Sequence, residues 1–248
     1  MTDEFATLNK LPLPYQMATI LRKEIFTGKY LPGDKLPTER ELAERCNTSR
    51  LTVSKAFVIL AQEGWIEMVQ GRNNTVLDFR TNVGIEVLPR LFLSCPEAVF
   101  SMQLLETMTS HSIWESTQVM LTAAKHATPE DEPMLMAILD LQTADISIAE
   151  FYENEFRFYR ELIRIGRDLI LQMFYTSEAK MAREFIAAGL IREPILPLPR
   201  YHEINRGLVK AVCARDIPTI ERILEESRKD IHDMLERTMK GINAGELK

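Results

Sequence analysis

The chain has 248 residues, of which 46% are hydrophobic and 27% charged, with a formal net charge of −6. Those values are ordinary for a globular protein and leave room for two domains. No run of about 18 apolar residues occurs, which argues against a transmembrane helix and a membrane partner. The opening M-T-D-E-F-A-T-L-N-K lacks the apolar stretch of a signal peptide. Cys46, Cys95 and Cys213 are widely spaced and form neither a CxxC pair nor a disulfide framework, which fits a reducing cytoplasm.

The first predicted helix follows Pro12 and Pro14. Tyr15, Ala18, Leu21 and Ile25 recur at helical spacing, with Met17 and Ile20 beside them. Thr27-Gly28 closes it, and Pro32-Gly33-Asp34 makes a turn. Thr38 with Glu41 three residues later is a capping-box pattern, so a second helix is predicted through Leu42 and Ala43 to about Asn47. Ser49 caps a third, Arg50 to about Glu63, whose inner face is Val53, Ala56, Phe57 and Leu60; Gly64 ends it. Residues 65–69 and 75–77 read as two short strands around the turn Gln70-Gly71-Arg72-Asn73-Asn74. Three helices and a small hairpin are the order of a winged helix-turn-helix, so residues 1–78 are expected to form a DNA-binding domain.

Charge is distributed accordingly. Residues 1–80 carry eleven Lys and Arg against ten Asp and Glu, so the acidic excess lies entirely in the rest of the chain. Lys35, Arg40, Arg45, Arg50, Lys55 and Arg72 recur through the module, and gripping phosphates requires a local basic face rather than a basic protein. The third helix is the second of a tight pair, so its N-terminal residues would face base edges in a major groove. Arg50 there can pair bidentately with guanine O6 and N7. Arg40 can reach a phosphate or a guanine, and the Gly71-Arg72 tip can enter the minor groove alongside.

Residues 79–95 are expected to be a linker and residues 96–248 an all-helical domain for effector binding and dimerisation. Six helices are predicted, at roughly 97–125, 132–150, 151–165, 168–188, 199–214 and 217–242. The last places Ile220, Ile223, Leu224, Ser227, Ile231, Met234 and Leu235 on one face, the stripe of a bundled helix. Twelve Met and eleven Phe suggest an apolar cavity, with Met102, Met108, Met120, Met134, Met136, Met173 and Met181 as candidates to line it. No Ser-His-Asp order, P-loop or Gly-rich nucleotide motif is present, and the four His share no spacing. Neither an enzyme nor a cofactor is expected.

The N-terminal segment resembles the GntR family of bacterial transcription regulators. The family pattern is matched at Pro32, Gly33, Leu36, Pro37, Thr38, Glu39, Arg40, Leu42 and Ala43. It continues at Ser49, Arg50, Thr52, Val53, Ala56, Leu60, Glu63 and Gly64. The resemblance implies that Arg40, Ser49, Arg50, Leu51, Thr52, Ser54, Gln70, Gly71 and Arg72 lie at the surface that meets an operator. Lys55 joins them as a neighbouring cation on the same helix. It also implies a homodimer on a palindromic duplex site.

A helical bundle after such a module resembles the FadR subfamily. Its metal-binding members carry an Asp, a His four residues later and two further His. The corresponding positions here are Glu155, Tyr159, Asn205 and Ser227. The imidazoles that supply most of the affinity are absent, so no metal is expected. Tyr159, Asn205 and Ser227, with Met102 and Met173, are the candidate effector contacts. The acyl-CoA-binding branch matches the connection at Phe79 and Gly84, but has Gly, Ser and Trp near the places held here by Glu226, Lys229 and Asp233. The resemblance implies a long-chain acyl-CoA or fatty-acid derivative as effector. A small organic acid, sugar acid or amino acid is the alternative.

Overall fold

The structure is a computed structural model that describes residues 12–69, 73–94 and 102–243. It divides into two compact units, residues 1–100 and 101–248. The first is a winged helix-turn-helix and the second is all helical, so the fold class is mainly α.

In the first unit α1 (Leu13–Phe26) starts at Pro12 and Pro14, where the fixed proline φ suits a first turn. Its buried face is Met17, Ala18, Leu21, Arg22 and Ile25. Tyr15 and Ile20 are exposed, so the apolar stripe is rotated from the expected one and takes in a charged residue. Arg22 is buried and grips the Glu63 carboxylate with Nε and Nη2 at 2.8–3.1 Å. Arg90 also reaches Glu63, at 2.5 Å. The ion pair fixes α1 against the end of α3, and periodicity alone does not reveal it.

Helix α2 (Glu39–Arg45) opens on the expected capping box: Thr38 accepts from the Glu41 amide and the Glu41 carboxylate accepts from the Thr38 amide. Helix α3 (Arg50–Gln62) is capped by Ser49, which accepts from the Thr52 amide. Its buried face is Val53, Ala56, Phe57 and Leu60. Strands β1 (Ile66–Glu67) and β2 (Thr75–Val76) pair antiparallel, Ile66 opposite Val76. They are shorter than expected: residues 65, 68–69 and 77 lie outside the two strands, although the Leu77 amide donates to the Trp65 carbonyl at 2.9 Å.

The stretch expected to be a linker folds into the first unit. It forms α4 (Phe79–Asn82), a 3-10 turn at Ile85–Val87 and α5 (Leu88–Ser94). Phe79 packs at 5.6 Å from the fully buried Trp65 ring and at 5.4 Å from Phe26. Gly64 makes this possible: its φ is +84°, and a Cβ there would lie 2.0 Å from the Asn82 carbonyl oxygen.

The second unit contains α6 (Met102–Ala124), a 3-10 turn at Pro129–Asp131, α7 (Glu132–Leu139), α8 (Ile148–Gly166), α9 (Leu169–Ala187), α10 (Leu198–Cys213) and α11 (Ile217–Asn243). Helix α6 packs on α8, α10 and α11, α8 also on α7 and α9, and α10 also on α7 and α11. The expected helix 132–150 is two pieces. Helix α7 stops at Leu139, and α8 begins at a capping box in which Ser147 and Glu150 exchange hydrogen bonds. The break therefore lies at residues 140–147. The core contains Met120, Leu135, Leu139, Phe158 and Leu162, all essentially without exposure. Each such side chain contributes about 1.5–3 kcal/mol by leaving water.

Candidate functional site

The sequence places the candidate DNA surface on one pair of helices, and local chemistry explains its shape. Between α2 and α3 only Cys46, Asn47, Thr48 and Ser49 intervene, and Asn47 takes φ +47°. Asn tolerates that left-handed conformation better than most residues. The short turn leaves the first turn of α3 projecting. Arg50, Leu51 and Lys55 are exposed, and Thr52 and Ser54 are half-buried. The Ser49 and Thr52 hydroxyls are 2.8 Å apart. Arg50 and Lys55 make no ion pair among the described residues. Arg40 is exposed on α2, with only a long 3.8 Å contact to Glu44.

Unpaired cations beside an open helix N-terminus are suited to a polyanion: little protein contact must be broken before phosphates or base edges are met. Exposed Leu51 and Val58 add apolar surface on the same helix, of the kind that contacts thymine methyls. Gln70, Gly71 and Arg72, expected at the wing tip, lie outside the described residues.

In the helical unit the expected effector residues do not form one set. Tyr159 stacks on Tyr175 with ring centres 5.5 Å apart, and its hydroxyl is hydrogen-bonded to Ser116. Asn205 is buried and its side-chain amide donates to the Tyr201 carbonyl at 2.9 Å. Ser227 is half-buried on α11. Met173 is 61% exposed on α9, beside exposed Leu169, Ile170 and Phe174, so it is on the outside of the bundle. Its helix buries Leu171, Tyr175 and Ala179 instead. The side chain of Met102 lies outside the described residues. Of the other methionines named, Met120 and Met181 are core, and Met134 and Met136 pack at its margin.

What the helical unit brings together is a polar centre. Glu115 on α6 is hydrogen-bonded to Glu178 on α9; burial, then that bond and the neighbouring charge, push its carboxyl up to about 9. Burial pushes Glu155 on α8 up to about 7, with Glu178 adding repulsion and a hydrogen bond from Tyr201 opposing. Burial also holds the hydroxyls of Tyr152, Tyr159, Tyr175 and Tyr201 protonated well above the usual phenol range, and the Glu155 charge reinforces this in each. Tyr201 further accepts a hydrogen bond at 3.0 Å from Gln142, a side chain 1% exposed. Sequence reasoning found Glu155 and Tyr159 only through their spacing, and missed Glu115, Glu178, Gln142 and Tyr201. These four come from separate helices and a loop, so no local pattern joins them. Among the described residues no group of three His, Cys, Asp or Glu is positioned to hold a metal ion.

The fold and the first site thus define a winged helix-turn-helix protein with a separate helical domain. Residues 15–76 match the family described as bacterial regulatory proteins, gntR family. Over its length the chain is 26% identical to the HTH-type transcriptional regulator Mce2R of Mycobacterium tuberculosis, covering 90% of this chain and 89% of that protein. It is 27% identical to the fatty acid metabolism regulator protein of Shewanella putrefaciens, covering 81% and 82%. Among solved structures, Escherichia coli McbR/YncC aligns over 93% of this chain and all of its own at 18% identity, with a TM-score of 0.43.

Proposed function

We propose that the protein is a ligand-responsive transcriptional regulator of the gntR type. It binds a palindromic operator in double-stranded DNA as a homodimer and changes its DNA affinity when the helical domain takes up a small molecule. The observation that carries this reading is the open first turn of α3, with Arg50 and Lys55 exposed and without ion pairs among the described residues, in a segment that matches the gntR family. Arg50, Leu51 and Ser54 face the base edges; Arg40, Ser49, Thr52 and Lys55 position the helix on the backbone. The wing residues Gln70, Gly71 and Arg72 complete the contact. One helix reads only a half-site, which is why the dimer is part of the proposal.

The test is selection of bound fragments from genomic DNA, followed by binding measurements on the recovered site and a scrambled one. Recovery of an inverted repeat bound far more tightly than the scrambled duplex is expected. Equal binding of both would remove the regulator reading.

For the effector, the Shewanella relatives named as fatty acid metabolism regulators support a long-chain acyl-CoA or fatty-acid derivative. A titration of the operator complex with acyl-CoAs of increasing chain length tests it, since each buried CH₂ is worth about 0.8 kcal/mol. The polar centre weighs against an anionic head group there, because Glu115, Glu155 and Glu178 would face it. Among the alternatives of a small organic acid, a sugar acid and an amino acid, only the last carries a positive charge.

A further inference from the structure

We propose that the outer face of α9 is the surface on which two copies of the chain meet, antiparallel about a twofold axis near the middle of the helix. The proposal rests on the reading of the protein as a homodimer and names the surface that forms it.

The face is apolar where a solvated helix is charged. Leu169, Ile170, Met173 and Phe174 are each between 61% and 72% exposed, and their spacing makes them neighbours on one side of the helix. No charged residue occurs from Leu169 to Ser177. Over a similar length the neighbouring α8 exposes Glu153, Arg157 and Arg160. At about 200 Å² for a large side chain, the four leave roughly 500 Å² of apolar surface in one patch, the upper end of what a monomer shows. Two copies would together cover about 1,000 Å² from these residues alone, the size at which specific interfaces begin.

The hydroxyls on this face are already satisfied within the helix. Thr176 donates to the Gln172 carbonyl at 2.6 Å, and Ser177 donates to the Met173 carbonyl at 3.3 Å. The Gln172 side-chain amide in turn donates to the Thr176 hydroxyl at 3.4 Å. Both hydroxyl protons therefore stay bonded when protein replaces the water outside them, and the face can be covered at little polar cost.

Spacing and charge make the face complementary to itself. Ile170, Ser177 and Glu184 follow one another at seven residues, with Met173 and Phe174 between, the repeat by which two helices keep one seam. Arg167 stands just before the helix and Glu184 near its end. Both are exposed, and neither makes an ion pair among the described residues. A twofold axis at the level of Tyr175 and Thr176 sets Arg167 of each copy opposite Glu184 of the other, so the pair forms twice. The same axis sets Phe174 opposite the small Ser177 of the other copy, with the two Phe174 rings less than one turn apart along the seam. Lys180 can lay its methylenes over Ile170 of the other copy and keep its ammonium in water. An anionic lipid surface would meet Glu184 as a like charge. A second copy answers both signs at the required spacing.

The experiment is sedimentation equilibrium on the full-length protein and on variants that change exposed residues alone, with circular dichroism to confirm that each is folded. The wild type should be a dimer. Phe174→Glu should weaken it about a hundredfold, because two carboxylates would be buried at the seam. Arg167→Glu and Glu184→Arg should each weaken it about tenfold, since each turns two attractive pairs into repulsive ones. Mixed in equal amounts, these two should form a heterodimer of nearly wild-type affinity, because both of its crossed pairs are again of opposite sign. A wild-type dimer that persists in all three variants puts the seam elsewhere; it overturns the proposal and leaves the homodimer reading standing. The same follows if the mixture associates no more tightly than either variant alone. A wild type that is monomeric while it binds its operator overturns both. Binding of phosphatidylglycerol vesicles by a monomeric wild type, lost in Phe174→Glu, would assign the face to a lipid surface and overturn the proposal as well.

Discussion

Single residues bear on the two proposed functions in different ways. Arg50 is exposed at the open end of α3 and makes no ion pair among the described residues, so under the proposed function it serves the DNA contact and not the fold. Arg50→Ala should leave thermal stability unchanged, cost about 1–3 kcal/mol on the selected site and flatten base preference there. Equal loss on cognate and scrambled duplexes would reduce it to a phosphate contact. Glu115 works in the opposite sense, since its environment is set by the fold. Its carboxyl stands at about 9 in the folded chain against an ordinary 4.5. Between those values the folded chain holds a proton that the unfolded chain has released, so stability is full below about pH 4.5 and declines as pH rises toward 9. Glu155, at about 7, adds to the decline over the lower part of that window. Glu178 and the tyrosines Tyr152, Tyr159, Tyr175 and Tyr201 face these groups, and the phenols stay protonated throughout. The melting temperature should therefore fall from pH 6 to pH 8, and Glu115→Gln should make the fall shallower. A melting temperature that rises over this interval, or a variant with the same slope, would contradict the buried protonated carboxyl.

At the scale of elements, the first unit depends on a close approach behind α3. Gly64→Ala must adopt φ +84° and place its Cβ against the Asn82 carbonyl. The conformation alone costs about 1–2 kcal/mol, and the clash adds to it. Unfolding in urea, followed by Trp65 fluorescence in a Trp114→Phe background, should show an earlier midpoint; an unchanged one would mean that α4 does not pack there. The capping boxes explain how much of this fold can be read from the sequence. Thr38 and Glu41 have a fixed spacing and a local hydrogen-bond pattern, so α2 is legible with its start. Ser147 and Glu150 have the same spacing, but they sit inside a long apolar-periodic stretch, and periodicity hides the break between α7 and α8. The ion pair of Arg22 with Glu63 joins residues 41 apart, and the polar centre joins four helices. Both depend on tertiary packing and leave no periodic trace. The candidate DNA surface is legible because it is local, whereas the polar centre shows only Glu155 and Tyr159.

For the whole molecule, charge and symmetry set how the two functions are coupled. The acidic excess lies outside the first 80 residues, which in the proposed regulator would oppose non-specific adhesion to DNA while the cations of the first unit remain available. In the proposed dimer, equivalent α3 helices would lie in successive major grooves on one face of the duplex. Half-site centres should then be about 10–10.5 base pairs apart, and hydroxyl-radical footprints on the selected operator should show two protected patches with that offset. Deleting one half-site should lower affinity steeply, because the second module then meets only non-specific DNA. Inserting about five base pairs between the halves turns them to opposite faces of the helix and should do the same, while a ten-pair insertion should restore part of the binding. Linkage completes the argument. A ligand that lowers operator affinity by some factor must itself be bound more weakly by the operator complex, by the same factor. Calorimetry of the ligand against free protein and against the preformed complex should give dissociation constants whose ratio equals that loss of operator affinity. A ratio of one, for a ligand that does release the operator, would mean that it acts by competing for the DNA surface and not through the helical domain.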